Sequence, residues 1–298
     1  MKAGVVLPNG IVGSPGGVRS YAEIRGLARD VEAQGLDSIW IYDHLAFHFA
    51  DRPREGVWEG WTVLSGLAEA TERVELGTMV LCTAYRNPAV LAKMAVTLDE
   101  MSGHRLILGL GAGWHEPEFT MFGLPFDHLV DRFEEAVQII STLVRDGKVD
   151  FRGTYSSAID CEILPAPGRR IPILIGARQP RMMRLTARFA DSWNTSGSGS
   201  VSELAPKLAS LNAAEAEVGR EVGSVEVTLG INVAFPDLGD VPADAGDPTR
   251  YLSGSVDEIA DGIRGIAEAG VGHVMAWLYP LTNDSIARFT ESVRRSRT

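Results

Sequence analysis

The sequence has little of what membrane and secreted proteins need. No apolar run among its 298 residues approaches the roughly 20 residues that cross a bilayer. The segment Met1–Asn9 has too short an apolar core for a signal peptide. Cysteine is scarce too, and Cys82 and Cys161 alone cannot form a disulfide framework. We therefore expect a cytoplasmic protein without membrane contact.

Positive charge is also in short supply, with 28 Lys and Arg against 39 Asp and Glu and a net charge of −11. Such a surface repels phosphate backbones, so nucleic acid is not expected as a partner. A small anionic ligand stays compatible, because a few backbone amides and one or two arginines can hold a phosphate locally. The 45% hydrophobic and 22% charged residues are ordinary for globular proteins and argue against intrinsic disorder.

What the sequence does contain is a strand followed by a helix, repeated along the whole chain. Short apolar runs predict strands at Lys2–Pro8, Ser38–Tyr42, Val74–Leu81, Leu106–Leu110, Ile171–Ile175, Ser192–Asn194, Val225–Ala234 and His273–Leu278. Apolar residues at helical spacing predict helices at Tyr21–Gln34, Gly60–Thr71, Pro88–Met101, Asp131–Arg145, Arg181–Phe189, Val201–Val218, Val256–Ala269 and Asp284–Arg295. Strands that are apolar throughout are typical of a parallel sheet covered by helices.

Eight such units predict an α/β fold, a single closed (β/α)8 TIM barrel. The alternative is an open doubly wound sheet of six or seven strands. The length would suggest two domains at about 150 residues each, but barrels of this kind often exceed 200 residues as one unit. We therefore expect a single domain over residues 1–298. An insertion around 148–165 has no helical period and fits a short hairpin. A long loop around 235–250 is rich in Pro, Gly and Asp.

In such barrels the chemistry gathers at the carboxyl ends of the strands, where Asp43 and His44 follow the second strand. An imidazole titrates near neutral pH and can exchange a proton with a substrate, and the adjacent carboxylate could fix its tautomer or bind a ligand. The alternative is an ordinary surface histidine in a loop. His48 would add a second imidazole for a metal, but no Cys or carboxylate cluster completes a ligand set, so we predict no metal site.

Two glycine-containing segments follow later strands. Gly109–Gly113 lacks the spacing of a dinucleotide-binding loop, but its glycines permit a flat ring or a phosphate to lie against bare backbone. A tight barrel rim without a ligand is the alternative. Gly176, Ala177 and Arg178 precede a predicted helix, whose amino terminus offers free N–H donors and a positive dipole end. We predict a phosphate site there, against the alternative that the arginines after residue 178 simply form a solvated helix face.

Several motifs along almost the whole chain carry a family resemblance. They are Ser38–His44, Ala70–Thr78, Tyr85–Ala89, Leu98–Leu106, Gly109–Trp114, Ile173–Gly176 and Ala190–Asn194. With them the chain resembles the luciferase-like monooxygenase superfamily, and within it the deazaflavin-dependent branch that uses coenzyme F420. The resemblance implies a (β/α)8 barrel with an insertion after the fourth unit.

The resemblance also implies where a flavin-type cofactor lies. The ring is expected over the carboxyl-terminal mouth, near Asp43, Met79, Val80, Ala112 and Gly113, with a non-prolyl cis peptide between Met79 and Val80. The cofactor phosphate is expected on Gly176, Ala177 and Arg178, and Trp114 and His115 are expected to flank the chain that leads to it.

The function implied is hydride transfer between coenzyme F420 and a small organic substrate, with His44 as acid or base. The main alternative is an FMN-dependent two-component monooxygenase that uses reduced FMN and oxygen. A flavin-binding barrel without catalysis and a metal-dependent hydrolase built on His44 and His48 are further alternatives. Deazaflavin sugar dehydrogenases bear an acidic catalytic residue close to the position of Trp114, so a sugar phosphate is not the expected substrate. The resemblance further implies a homodimer.

Overall fold

The structure is a computed structural model that describes residues 1–10, 17–51, 53–196 and 204–298. Its strands are β1 (Lys2–Val6), β2 (Ser38–Ile41), β3 (Glu75–Thr78), β4 (Leu81–Cys82), β5 (Leu106–Gly111), β6 (Lys148–Arg152), β7 (Ser157–Glu162), β8 (Ile173–Gly176), β9 (Ser192–Ser196), β10 (Glu226–Ala234), β11 (Tyr251–Ser253) and β12 (His273–Tyr279). Its helices are α1 (Tyr21–Gln34), α2 (Gly60–Ala70), α3 (Pro88–Met101), α4 (Glu116–Phe122), α5 (Leu129–Asp146), α6 (Pro180–Phe189), α7 (Ala205–Glu217), α8 (Val256–Glu268) and α9 (Asn283–Ser296), with a short 3₁₀ turn at Thr83–Tyr85.

The main sheet closes on itself. Parallel pairing runs from β12 through β1, β2, β3, β5, β8, β9 and β10 and returns from β10 to β12. The predicted (β/α)8 barrel is therefore confirmed. The third barrel strand differs from the single predicted strand, because the chain leaves the sheet at Met79–Val80 and divides it into β3 and β4, both paired with β5.

Local signals fix several helix ends. Ser20 and Glu23 form a reciprocal capping box at the start of α1, and Gly35 ends that helix in the left-handed conformation at φ +88°. The side chain of Asn87 accepts hydrogen bonds from the first amides of α3, whose first residue is Pro88. The predicted bounds of both helices are confirmed, because these stop and start signals act within a few residues.

The predicted insertion contains an antiparallel hairpin, β6 with β7. The loop around 235–250 is followed by β11, which pairs with β10 and was not predicted. Helix α4 was not predicted either. The predicted helix Val201–Val218 corresponds to α7, and residues 201–203 lie outside the described part of the chain.

Two of the three buried apolar clusters among the described residues support the barrel. The larger lies between strands and helices, and the smaller fills the lumen with Val6, Trp40, Tyr42, Phe47, Met79, Leu174 and Met275. In the described part of the chain the lumen is thus a packed interior. Within the described residues, the helices are all too short or too polar to cross a membrane.

Candidate active site

His44 lies just beyond the carboxyl end of β2, on the wall of a cavity of about 170 Å³ at the barrel mouth. The cavity is lined by Tyr42, Asp43, His44, Met79, Val80, Leu81, Cys82, Tyr85, Gly113 and Trp114. Six of the residues predicted to form the site, from three different strand ends, thus meet around one space. The imidazole is largely buried, with 15% of its side chain exposed.

A carboxylate that the sequence reading missed holds His44. Glu118, on α4, is fully buried, and its Oε1 lies 2.6 Å from Nδ1 of His44. Its Oε2 accepts hydrogen bonds from the amides of Leu45 and Ala46. Since an ionised carboxylate only accepts, the network assigns the proton to Nδ1 and leaves Nε2 as the nitrogen available to a ligand.

The environment keeps Glu118 ionised. Burial alone would raise the pKa of this carboxyl, but the hydrogen bond from His44, together with the two loop amides, lowers it below its ordinary value. The hydroxyl of Tyr85 also interacts with Glu118. Burial, followed by the nearby acidic groups, raises the pKa of Tyr85, so this hydroxyl keeps its proton.

Asp43 has a different set of partners. Its Oδ1 and Oδ2 accept from Nη2 and Nη1 of Arg86 at 3.0 and 2.7 Å, and Oδ2 also accepts from the amide of Cys82 at 3.0 Å. Arg86 in turn binds Glu59. The carboxylate next to His44 in sequence therefore does not fix its tautomer, because the guanidinium of Arg86 already engages both of its oxygens.

The segment Met79–Val80 bulges into the lumen below the cavity and contains the predicted cis peptide, which is confirmed. It explains the glycines of neighbouring strands. A Cβ on Gly109 would lie 1.8 Å from the carbonyl oxygen of Thr78, and one on Gly111 would lie 2.7 Å from Cγ2 of Val80. Gly111 thus makes room for Val80, and Gly109 makes room for the carbonyl of Thr78, the last residue of β3 before the bulge.

Aromatic rings surround the exposed side of His44. Its ring centre lies 4.3 Å from that of Phe47 and 5.6 Å from that of Trp114, whose indole is 60% exposed. His115 is buried, and its Nε2 accepts from the amide of His48 at 3.1 Å. Burial lowers the pKa of His115, so its neutral form, which accepts this bond, is favoured.

The third predicted group lies at the end of β8. The guanidinium of Arg178 donates to the backbone oxygen and the hydroxyl of Ser196, and the amide of Ala177 donates to Asn194 at 3.4 Å. Helix α6 follows, and the side chain of its N-cap residue, Gln179, makes no capping hydrogen bond. Its first amides and Arg178 are donors that suit an anion. Arg181, by contrast, pairs with acidic residues of α5.

The mouth has the chemistry that a flavin-type group requires. Met79 and Val80 give an apolar floor, and at the end of β8 Arg178 with the start of α6 offers donors that suit an anion. The buried hydroxyl of Tyr42 and Oδ1 of Asn9 have no well-formed hydrogen bond among the described residues. Buried polar atoms are normally satisfied, so the hydroxyl of Tyr42, a residue that lines the cavity, suits a polar ligand at this mouth.

The described residues form no group of three or more His, Cys, Asp or Glu side chains that could hold a metal ion. Nδ1 of His44 pairs with Glu118, and the backbone amide of His48 donates to Nε2 of His115. The alternative of a metal-dependent hydrolase on His44 and His48 therefore has no geometric support in the described part of the chain.

Comparison with known proteins gives relatives along most of the chain. The profile of the luciferase-like monooxygenase family matches residues 1–241. An F420-dependent glucose-6-phosphate dehydrogenase of Kineococcus radiotolerans is 33% identical over 237 residues, which are 77% of this chain and 68% of that protein. Pyrimidine monooxygenase RutA of Enterobacter cloacae is 32% identical over 67% of this chain and 55% of that protein. The chain thus spans between about half and two thirds of these curated relatives.

Solved structures share the fold. An F420-dependent secondary alcohol dehydrogenase, solved with an F420–acetone adduct, superposes with a TM-score of 0.83 at 20% identity, over 100% of this chain and 99% of that one. Monooxygenase RslO1 from Streptomyces bottropensis superposes with a TM-score of 0.78 at 19% identity, over the whole of both chains. At these identities the likeness concerns the barrel architecture.

Proposed function

The chain belongs to the luciferase-like monooxygenase family, and on that premise we propose that it is an F420-dependent oxidoreductase acting on a small organic substrate. The observation that carries the proposal is the pairing of His44 with Glu118 beside the cavity at the mouth. It leaves one imidazole nitrogen for proton transfer next to an apolar floor. Relatives named as F420-dependent dehydrogenases support the choice of cofactor.

We assign the cofactor contacts as follows. Asp43, Met79, Val80, Ala112 and Gly113 would hold the ring. Gly176, Ala177 and Arg178 would hold the phosphate, with Trp114 and His115 beside the connecting chain. When bound, coenzyme F420 supplies the donor or acceptor of a hydride, and the barrel orients it.

His44 supplies the accompanying proton transfer. Its Nε2 accepts the proton that leaves the substrate, or returns it in the reverse direction, while Glu118 keeps Nδ1 protonated. The rings of Phe47 and Trp114 cover the imidazole and limit the approach of water.

The lining of the cavity favours an uncharged substrate. The described lining residues include no Lys or Arg, and nearby Arg86 is engaged by Asp43 and Glu59. Trp114 stands close to where deazaflavin sugar dehydrogenases bear an acidic residue. A phosphate group on the substrate would have no cationic partner among these residues, so we propose a neutral organic molecule in place of a sugar phosphate.

Titration of the purified protein with F420 and with FMN, followed by fluorescence and calorimetry, tests the choice of cofactor. We expect F420 to bind at least tenfold more tightly than FMN. Tight FMN binding with weak F420 binding would instead establish the second candidate, an FMN-dependent monooxygenase, which the RutA relative favours.

A matched pair of variants tests the phosphate site. Arg178→Gln should weaken F420 binding about tenfold, because a charge-assisted hydrogen bond is worth about 1.5 kcal/mol or more. Arg188→Gln, an exposed position near the other end of α6, should bind F420 as wild type does. Equal affinities for both variants would remove Arg178 from the site.

A further inference from the structure

We propose that Glu118 is the positioning residue of the active site: it fixes the ring and the tautomer of His44 so that Nε2, unprotonated, faces the cavity. The proposal rests on the acid–base function proposed for His44. Glu118 acts through His44 and does not line the cavity itself.

The contacts of Glu118 show why it can do this. One oxygen faces Nδ1 of His44 at 2.6 Å, and the other accepts from the amides of Leu45 and Ala46 in the same loop. The hydroxyl of Tyr85 adds a further interaction. The side chain is fully buried, so water does not compete for these bonds. Hydrogen bonds at both oxygens hold the carboxylate in one orientation, and the carboxylate in turn holds the imidazole ring in one orientation.

Helix α4 places the carboxylate. Next to Glu118, Phe119 is fully buried, and its ring packs 5.3 Å from that of Tyr85 and 5.0 Å from that of Phe126. Gly123 then ends the helix in the left-handed conformation at φ +67°. The packing of Phe119 therefore holds its sequence neighbour Glu118 in the position that faces His44.

The nearby alternatives are occupied. Both oxygens of Asp43 are engaged by Arg86, and Nε2 of His115 accepts from the amide of His48. A neutral imidazole without a fixed partner populates two tautomers, and only one of them leaves Nε2 able to accept a proton. An ionised carboxylate on Nδ1 selects that tautomer and stabilises the imidazolium that forms when Nε2 takes the proton.

Glu118→Gln tests the proposal with two readouts. In steady-state kinetics with F420 we expect kcat to fall about a hundredfold, a loss typical of impaired acid–base catalysis, while KM and the Kd for F420 stay within about threefold. In ¹⁵N NMR of histidine-labelled protein without cofactor, wild type should show His44 protonated at Nδ1, and the variant should lose this preference. Glu116→Gln, exposed on the same helix, is the control and should match wild type in both.

A double mutant separates positioning from an independent role. Because Glu118 acts through His44, adding Glu118→Gln to His44→Ala should change kcat by less than about twofold. A further hundredfold loss would overturn the proposal. If Glu118→Gln does not fold, Glu118→Asp keeps the charge at a shorter reach. Its kcat should lie between that of wild type and that of His44→Ala, and wild-type activity in Glu118→Asp would also overturn the proposal.

The NMR readout keeps this inference distinct from the proposed function. Failure of wild type to turn over F420 with any substrate would reject the proposed function, and the tautomer of His44 could still be read. Wild-type protein whose His44 carries its proton on Nε2 would reject the positioning function of Glu118, whatever the reaction.

Discussion

At the scale of single residues, the two neighbours Asp43 and His44 have separate tasks. Asp43 neutralises Arg86 inside the protein, where an unpaired charge would be costly. His44 turns to a carboxylate 74 positions later in the chain. Adjacent residues point in different directions after a strand, and so adjacency in sequence did not identify the partner of the imidazole.

Replacement of His44 by Ala should lower kcat by a factor of 10² to 10⁴, the range typical of a lost acid–base group. The Kd for F420, measured by fluorescence titration, should stay close to that of wild type because His44 is not assigned a cofactor contact. Activity within a few-fold of wild type would rule out proton transfer by His44.

At the scale of elements, the bulge of Met79–Val80 determines the sequence of the strands around it. It divides the third barrel strand, Val80 requires glycine at position 111 of β5, and the carbonyl of Thr78 just before the bulge requires glycine at position 109. The same bulge forms the floor of the cavity. The glycine-rich segment is therefore first a packing requirement, and its neighbours Ala112 and Gly113 remain predicted cofactor contacts.

Gly109→Ala should be strongly destabilising, because its Cβ would lie 1.8 Å from the carbonyl oxygen of Thr78, which only a movement of the backbone where β3 meets the bulge can displace. We expect a loss of about 3 kcal/mol in the free energy of unfolding, measured by urea denaturation. Gly26→Ala in α1 is the control: nothing lies within 4 Å of its Cβ, and it should gain about 0.5–1 kcal/mol. Equal stabilities for the two variants would contradict this account of the bulge.

At the scale of the whole molecule, closure of the barrel brings distant strand ends into one site. Residues near positions 43, 80 and 113 line a single cavity, Glu118 pairs with His44 on the cavity wall, and residues near 177 lie at the end of β8 beside Val80. The opposite end of the barrel serves stability. There His273 is buried, its Nε2 lies 2.7 Å from Oγ of Ser38, and that hydroxyl also accepts from the indole of Trp40.

Burial lowers the pKa of His273 to about 4 from an ordinary value of 6.5. The unfolded chain then binds a proton at His273 below pH 6.5 that the folded protein does not, so stability should fall as the pH drops from about 6.5 to about 4. The full contribution is of the order of 3 kcal/mol. Urea unfolding at pH 7, 6 and 5 should show that the free energy of unfolding falls less with decreasing pH in His273→Gln than in wild type. The same dependence on pH in both proteins would show that His273 takes up its proton in the folded state.

Three predictions about the whole molecule remain open to direct measurement. They are a homodimer, a single domain over residues 1–298 and a cytoplasmic location. Light scattering of the purified protein tests the first, and limited proteolysis tests the second.

The net charge of −11 does not oppose an anionic cofactor, because the donors near Arg178 act locally.

The sequence by itself determined the elements and their order. Ser20, Glu23 and Gly35 act on backbone groups within a few residues, so the ends of α1 could be read directly. Eight apolar strands alternating with helices have few ways to bury both faces, and this made the barrel predictable. The family motifs then predicted a function for His44, and they placed the cis peptide at Met79–Val80, where the structure has it.

Only the tertiary structure decided which groups meet. Helix α4 has seven residues, too few for a helical period to stand out, so neither the helix nor Glu118 was predicted. The need for glycine at position 109 depends on a carbonyl oxygen of another strand. Sequence patterns report interactions that repeat every few residues along the chain. The bond between His44 and Glu118 forms across the barrel mouth, and its partners come together only when the chain has folded.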